Sequence, residues 1–182
     1  MTNQGKTFKT TLKPGHVIHT MMSEHEKILG FLDELEKINQ KIQKMEVYKE
    51  GIEFQRLKNI THHLIEADSH HQREETVLFP ELRKRGFSCG PDMMEIEHKD
   101  LKKYKKKLKK LVERREKIDF SEFKKELAEI VNFLLPVLRE HIFKEDNVLY
   151  PTALELIKDQ KVWEQMKIGC DKIGYCCFTP KI

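Results

Sequence analysis

The sequence predicts an all-α protein, an antiparallel up-down-up-down four-helix bundle with a short C-terminal fifth helix and tail. Two observations predict it. Apolar residues recur three and four positions apart through four stretches of about 25–30 residues each. Only eight glycines and six prolines punctuate 182 residues, and no segment alternates apolar and polar residues for long. Long periodic helices with short connections pack most simply as neighbours of opposite direction.

The first helix follows Pro14-Gly15 and runs to about Met45, with Ile18, Met21, Met22, His25, Ile28, Leu32, Leu35 and Ile38 in one stripe. A second spans about Ile52 to Leu82, with Leu57, Leu64, Ala67, His70, Glu74, Val77 and Leu78 inward. The stretch from Lys84 to Pro91 (KRGFSCGP) is turn chemistry. Asp92 is expected to cap a third helix that reaches Lys117, and Ser121 to open a fourth. The fourth turns His141, Glu145, Val148 and Leu149 inward, and Pro136 inside it removes a backbone donor and is expected to bend it. A fifth helix covers about Thr152 to Met166, before a tail carrying Cys176-Cys177. The expected organisation is a tail over 1–14, the bundle over 15–151, and a C-terminal helix and tail over 152–182.

Composition removes several classes. No stretch approaches the roughly 18 apolar residues of a membrane span, and the start, MTNQGKTFKTTLK, lacks an apolar signal core, so a cytoplasmic protein is expected. Four cysteines without a CxxC pair argue against a disulfide framework or a zinc finger. Residues 102–110, KKYKKKLKK, keep Tyr104 and Leu108 in helical phase. Their lysines read as a solvated helix face, not a nucleic-acid surface.

The chemistry lies in a repeat. His70-His-Gln-Arg-Glu74-Glu-Thr-Val-Leu-Phe-Pro80 aligns with His141-Ile-Phe-Lys-Glu145-Asp-Asn-Val-Leu-Tyr-Pro151, 71 residues later. Each copy is preceded by a Glu-His pair, Glu24-His25 and Glu97-His98. The chain therefore reads as two similar helical hairpins. Residues i and i+4 share a helix face, so His70/Glu74 and His141/Glu145 each present a nitrogen beside an oxygen. A lone buried carboxylate is costly, and a cation removes that cost. His25, His70, Glu74, His98, His141 and Glu145 are expected to meet at one depth as a metal site. Four imidazoles and two carboxylates exceed one tetrahedral zinc. They suit two metals, each with two histidines and both bridged by the glutamates. Nitrogen and oxygen ligation favours iron, with manganese as the substitute. The Glu-x-x-His pattern of ferritin-like bundles occurs suitably only once, at Glu95–His98.

Glu66, four residues before His70, and Glu97, beside His98, are candidates for an extra ligand or a supporting partner. His62 and His63 lie about two turns from His70, too far to ligate, though His63 has the option of shaping a channel. His71 is expected to face solvent, and His16 and His19 fall off the ligand face. Met21, Met22, Met93 and Met94 are expected to pack near the site.

These motifs resemble the hemerythrin-like cation-binding (HHE) domains over about residues 15–151. The resemblance implies a non-haem di-iron four-helix bundle whose partner is a small diatomic or peroxide molecule. The oxygen-carrying hemerythrins have a fifth histidine one turn after the ligand matching His98, where this sequence has Lys102. The four-histidine, two-glutamate set is similar to that of iron-centre repair proteins, whose two further glutamates match Glu66 and Glu97. Three roles stay open: binding and sensing or reducing O2, NO or peroxide; donating iron to damaged iron–sulfur centres; and redox-dependent signalling. The ligand set is shared between enzymes and sensors and does not separate them.

Overall fold

The computed structural model describes residues 9–181; the expected N-terminal tail lies largely outside them. The described residues are helical, without a strand. In chain order they form α1 (Val17–Gln43), α2 (Ile52–Glu66), α3 (Asp68–Arg73), α4 (Phe79–Arg83), α5 (Cys89–Glu113), α6 (Phe120–Lys144), α7 (Tyr150–Leu156) and α8 (Gln160–Ile173). Two π-helical turns, Glu74–Leu78 and Glu145–Leu149, join α3 to α4 and α6 to α7. No described helix is long and apolar enough to cross a membrane.

Helix α1 packs against α2 and α6, and α5 packs against the same two, which closes a helical bundle. One apolar cluster, with Leu32, Leu35, Phe54, Leu57, Leu101, Leu108 and Leu127, fills one end. A second, with Ile18, Met21, Leu78, Phe79, Leu149, Tyr150 and Trp163, fills the other. His25, His70, Glu74, His98 and Glu145 fall in sequence between residues of the two clusters, and His141 falls near the end of the first, just before Ile142.

The π turns are the largest local departure from the expected helices. In each, a backbone N–H reaches back five residues, from Phe79 to the Glu74 carbonyl and from Tyr150 to the Glu145 carbonyl. Pro80 and Pro151 come immediately after. Proline has no N–H, and in a regular helix its ring presses on the carbonyl four residues back; widening the preceding turn relieves that contact. The extra residue also rotates the next turn about the helix axis, so Val148 is exposed while Leu149 and Tyr150 are buried. An inward Val148 is thereby corrected.

Other boundaries shift for local reasons. The second helix breaks at Ala67, between α2 and α3. Helix α5 begins at Cys89, so Asp92 lies inside it and binds Arg83 at 2.7 Å instead of capping. Asp119 caps α6, accepting the N–H groups of Ser121 (2.8 Å) and Glu122 (3.1 Å). The expected fifth helix is two: α7 continues from the π turn, and α8 starts afresh where Asp159 accepts the Lys161 N–H. The lysine face is not wholly wet, since Lys105 is buried and held by Asp68 at 2.5 Å. Met94 and His98 turn inward one helical turn apart, which leaves Met93 outward and exposed.

Candidate metal centre

Six buried side chains from the two hairpins converge. His25 comes from α1, His70 from α3, His98 from α5 and His141 from α6; Glu74 and Glu145 open the two π turns. His25 Nε2 lies 3.0 Å from His70 Nε2, and His98 Nε2 lies 3.1 Å from His141 Nε2. The glutamates stand between these pairs. Glu145 directs Oε2 to His25 (3.2 Å) and Oε1 to His141 (3.1 Å). Glu74 Oε2 is 3.5 Å from both His70 and His98. Donor atoms of His25, His70, Glu74 and Glu145 all lie within 4.8 Å of one another.

Every imidazole turns Nε2 to the centre and Nδ1 to a carboxylate. The Nδ1 partners are Asp146 for His25 (2.8 Å), Glu24 for His70 (2.6 Å), Glu75 for His98 (2.8 Å) and Glu97 for His141 (2.8 Å). Such a partner fixes ring orientation and makes Nε2 a better donor. The pattern obeys the sequence repeat. The glutamate before each first-helix histidine serves the second-helix histidine, and the acid after each motif glutamate serves the other hairpin's first-helix histidine. A cation obeys the rule too: Arg73 holds Glu24 at 2.7 Å, and Lys144, 71 positions later, holds Glu97.

The electrostatics are those of a site built for positive charge. Burial alone would lower the His98 imidazole, yet Glu145, Glu75 and Glu74 raise it to about 9. His25, His70 and His141 are also raised against the effect of burial by their carboxylates. Burial would raise Glu24, but His70, Arg73 and Thr179 hold it at about 2. Glu74 Oε2 and both Glu145 oxygens are buried without a hydrogen-bond partner. Buried carboxylate oxygens are costly when unsatisfied, and these three point into the ring of Nε2 atoms. The donor set therefore fits a metal ion, whose binding would release protons from the imidazoles.

Some positions differ from expectation. His71 is buried, not solvent-facing, because it stacks on His98 with ring centroids 3.9 Å apart and planes 4° from parallel. Its nitrogen lies within 4.8 Å of donors on His98 and His141. Rings stacked face to face cannot both hold one ion in their planes, so in this geometry His71 is a wall beside His98. Glu66 is not drawn into the ring: the break at Ala67 interrupts its helical register with His70, and its charge acts on His63 and Cys177. Glu97, about 100° around the helix from His98, reaches across to His141 instead. His16 caps α1, accepting the Ile18 N–H at 3.2 Å, and His63 stacks on Phe31.

Residues missed in the sequence are Glu75, Asp146, Arg73, Lys144 and Tyr150, together with the supporting role of Glu24. All but Tyr150 recur with the same charge in the other copy of the repeat, which was the available signal. Tyr150 replaces a phenylalanine at the matching position. It is fully buried and donates its hydroxyl to Glu74 Oε1 at 2.7 Å.

A helical bundle with four carboxylate-backed imidazoles around two buried glutamates defines a cation-binding helical protein. The chain belongs to the hemerythrin family: the hemerythrin HHE cation binding domain matches residues 16–153. No curated protein matches the chain.

Proposed function

We propose that this protein is a non-haem di-iron protein that binds small diatomic or peroxide molecules and senses or reduces them. His25 and His70 would hold one ion and His98 and His141 the other, with Glu74 and Glu145 shared. The observation that carries this is the set of three partnerless carboxylate oxygens facing four Nε2 atoms. Iron held there supplies electrons and open coordination positions; manganese is the alternative occupant. The residues orient the imidazoles, present the carboxylate oxygens and exclude bulk water with the two apolar clusters. The ring of helix contacts supports the up-down-up-down bundle, and four free cysteines suit a cytoplasmic setting. Metal analysis and then anaerobic titration of the reduced protein with O2, NO and H2O2 test the assignment. Two metals per chain and a spectral change with one of these ligands are expected; no metal, or no change with any, overturns it.

A second reading, iron donation to damaged iron–sulfur centres, is favoured by one feature. The carboxylates behind His98 and His141 are partly open, with Glu75 38% and Glu97 21% exposed. Rapid iron loss to a chelator and transfer to an apo iron–sulfur protein would support it.

A further inference from the structure

We propose that small inorganic anions reach the centre through the cavity beside His98, on the side away from the C-terminal tail, and that Lys99 and Lys102 draw them in. This rests on the metal-centre reading above and assigns that centre a ligand charge and a route. The cavity holds about 350 Å³ and is bounded by His98 itself, by the stacked His71, and by side chains of α3 and α5.

The charges along its wall leave a positive remainder. Three carboxylates line it: Asp68 is held by Lys105 at 2.5 Å and Glu95 by Arg83 at 2.9 Å, while Glu75 accepts from His98 Nδ1 at 2.8 Å and leaves one negative charge against the two lysines. Lys99 forms no ion pair among the described residues. Lys102 has only a 3.8 Å contact with the already occupied Asp68. The same two lysines border a second, open groove of about 440 Å³ whose remaining lining is Lys103, Lys106, Lys107 and Lys110. The lysine run of α5 is thus a row of charge leading to the cavity mouth. A cleft lined by one sign of charge raises the local concentration and association rate of the opposite ion. At the inner end, His71 has no hydrogen bond among the described residues, so a ring nitrogen is free to meet an arriving ligand.

The His70 side is closed by the C-terminal tail. Tyr175 lies under the Arg73 guanidinium at 4.7 Å, Cys176 Sγ is 3.7 Å from Arg73 Nη2, and Thr179 donates to Glu24 at 2.5 Å. Phe178 packs edge-on against Phe31. The tail therefore covers Arg73 and Glu24 where the related Lys144 and Glu97 remain part-exposed.

The test uses the iron-loaded full chain, with azide as the anionic probe and NO as the uncharged one, and reads stopped-flow absorbance across ionic strength. Azide should associate more slowly as salt rises. In the double variant Lys99→Glu/Lys102→Glu its association rate should fall by about tenfold or more and the salt dependence should flatten or reverse. NO association, metal content and the resting spectrum should stay at wild-type values. Lys125→Glu, an exposed charge reversal on α6, should stay within about twofold of wild type. An azide rate in the wild type that ignores salt overturns the route, and this needs no variant. So does a double variant with two metals and an unchanged azide rate. A wild type without metal fails the underlying assignment, whereas a two-metal protein that binds NO but not azide fails only this inference.

Discussion

The two hairpins carry nearly the same motif yet place their histidines in different surroundings. Around His70, the supporting Glu24 is fully buried, its cation is a buried arginine, and the tail seals both. Around His141, the matching Glu97 is 21% exposed and its cation is a 28% exposed lysine, with no tail contact among the described residues. The aromatic walls differ too. Tyr150 stacks on His25 and bonds Glu74, while Phe79 stacks on His98 and bonds nothing. The repeat thus sets which atoms face the centre, and residues outside it decide how far water and ligands approach each side. A duplicated site becomes two unequal ones without any change in the residue types that face the centre.

The largest effect should come from the group both halves share. Glu145 sends one oxygen toward each histidine pair, so Glu145→Ala should reduce metal content below one ion per chain. Retention of two ions would show that the halves load independently. The next test separates them. Arg73→Ala strands the buried Glu24 charge and should cost about 3–5 kcal/mol in urea unfolding. Lys144→Ala leaves a carboxylate that water can reach and should cost less than about 1 kcal/mol. Equal losses would abolish the distinction between sealed and open sides.

How much of this was legible in the sequence depends on what each residue's position relies on. The convergence of His25, His70, Glu74, His98, His141 and Glu145 was legible because helical periodicity and the repeat fix their face and depth. The π turns were not. They arise from competition between a proline ring and the preceding carbonyl, which apolar periodicity does not register. Val148 was misplaced for that reason, and Glu66 through the break at Ala67. His71 was misassigned because the ring of a neighbouring helix, not its own helix face, decides its burial. The tail's contacts with Arg73 and Glu24 span about 100 residues or more of sequence, beyond the reach of any local pattern.

Acid should expose the same inequality. Glu24 ionises at about 2 in the fold, against 4.5 ordinarily. A carboxylate depressed by folding stabilises the protein fully above its unfolded value, and that contribution is lost as pH falls through the folded one. The shift corresponds to about 3 kcal/mol. The stability gap between wild type and Glu24→Gln should therefore be wide at pH 5 and shrink steadily toward pH 2.5. Glu97 is also depressed, through His141 and Lys144, but it lies nearer solvent. The matching gap for Glu97→Gln should be smaller throughout; a larger one would reverse the assignment of sides.

Smaller effects than the loss of Arg73 are expected at the two aromatic walls. Tyr150→Phe removes the donor to Glu74 and leaves another buried oxygen unsatisfied, which should cost the metal-free protein about 2 kcal/mol. The reverse exchange is more informative. Phe79 stands beside His98 as Tyr150 stands beside His25, and Glu145, the counterpart of Glu74, has both oxygens unpartnered. A hydroxyl introduced by Phe79→Tyr would find an acceptor where the repeat places one. Thermal unfolding of the metal-free variant should therefore show a gain of about 1 kcal/mol. A loss of similar size would mean that the space beyond Phe79 is filled, and that the walls are unequal in shape as well as in polarity.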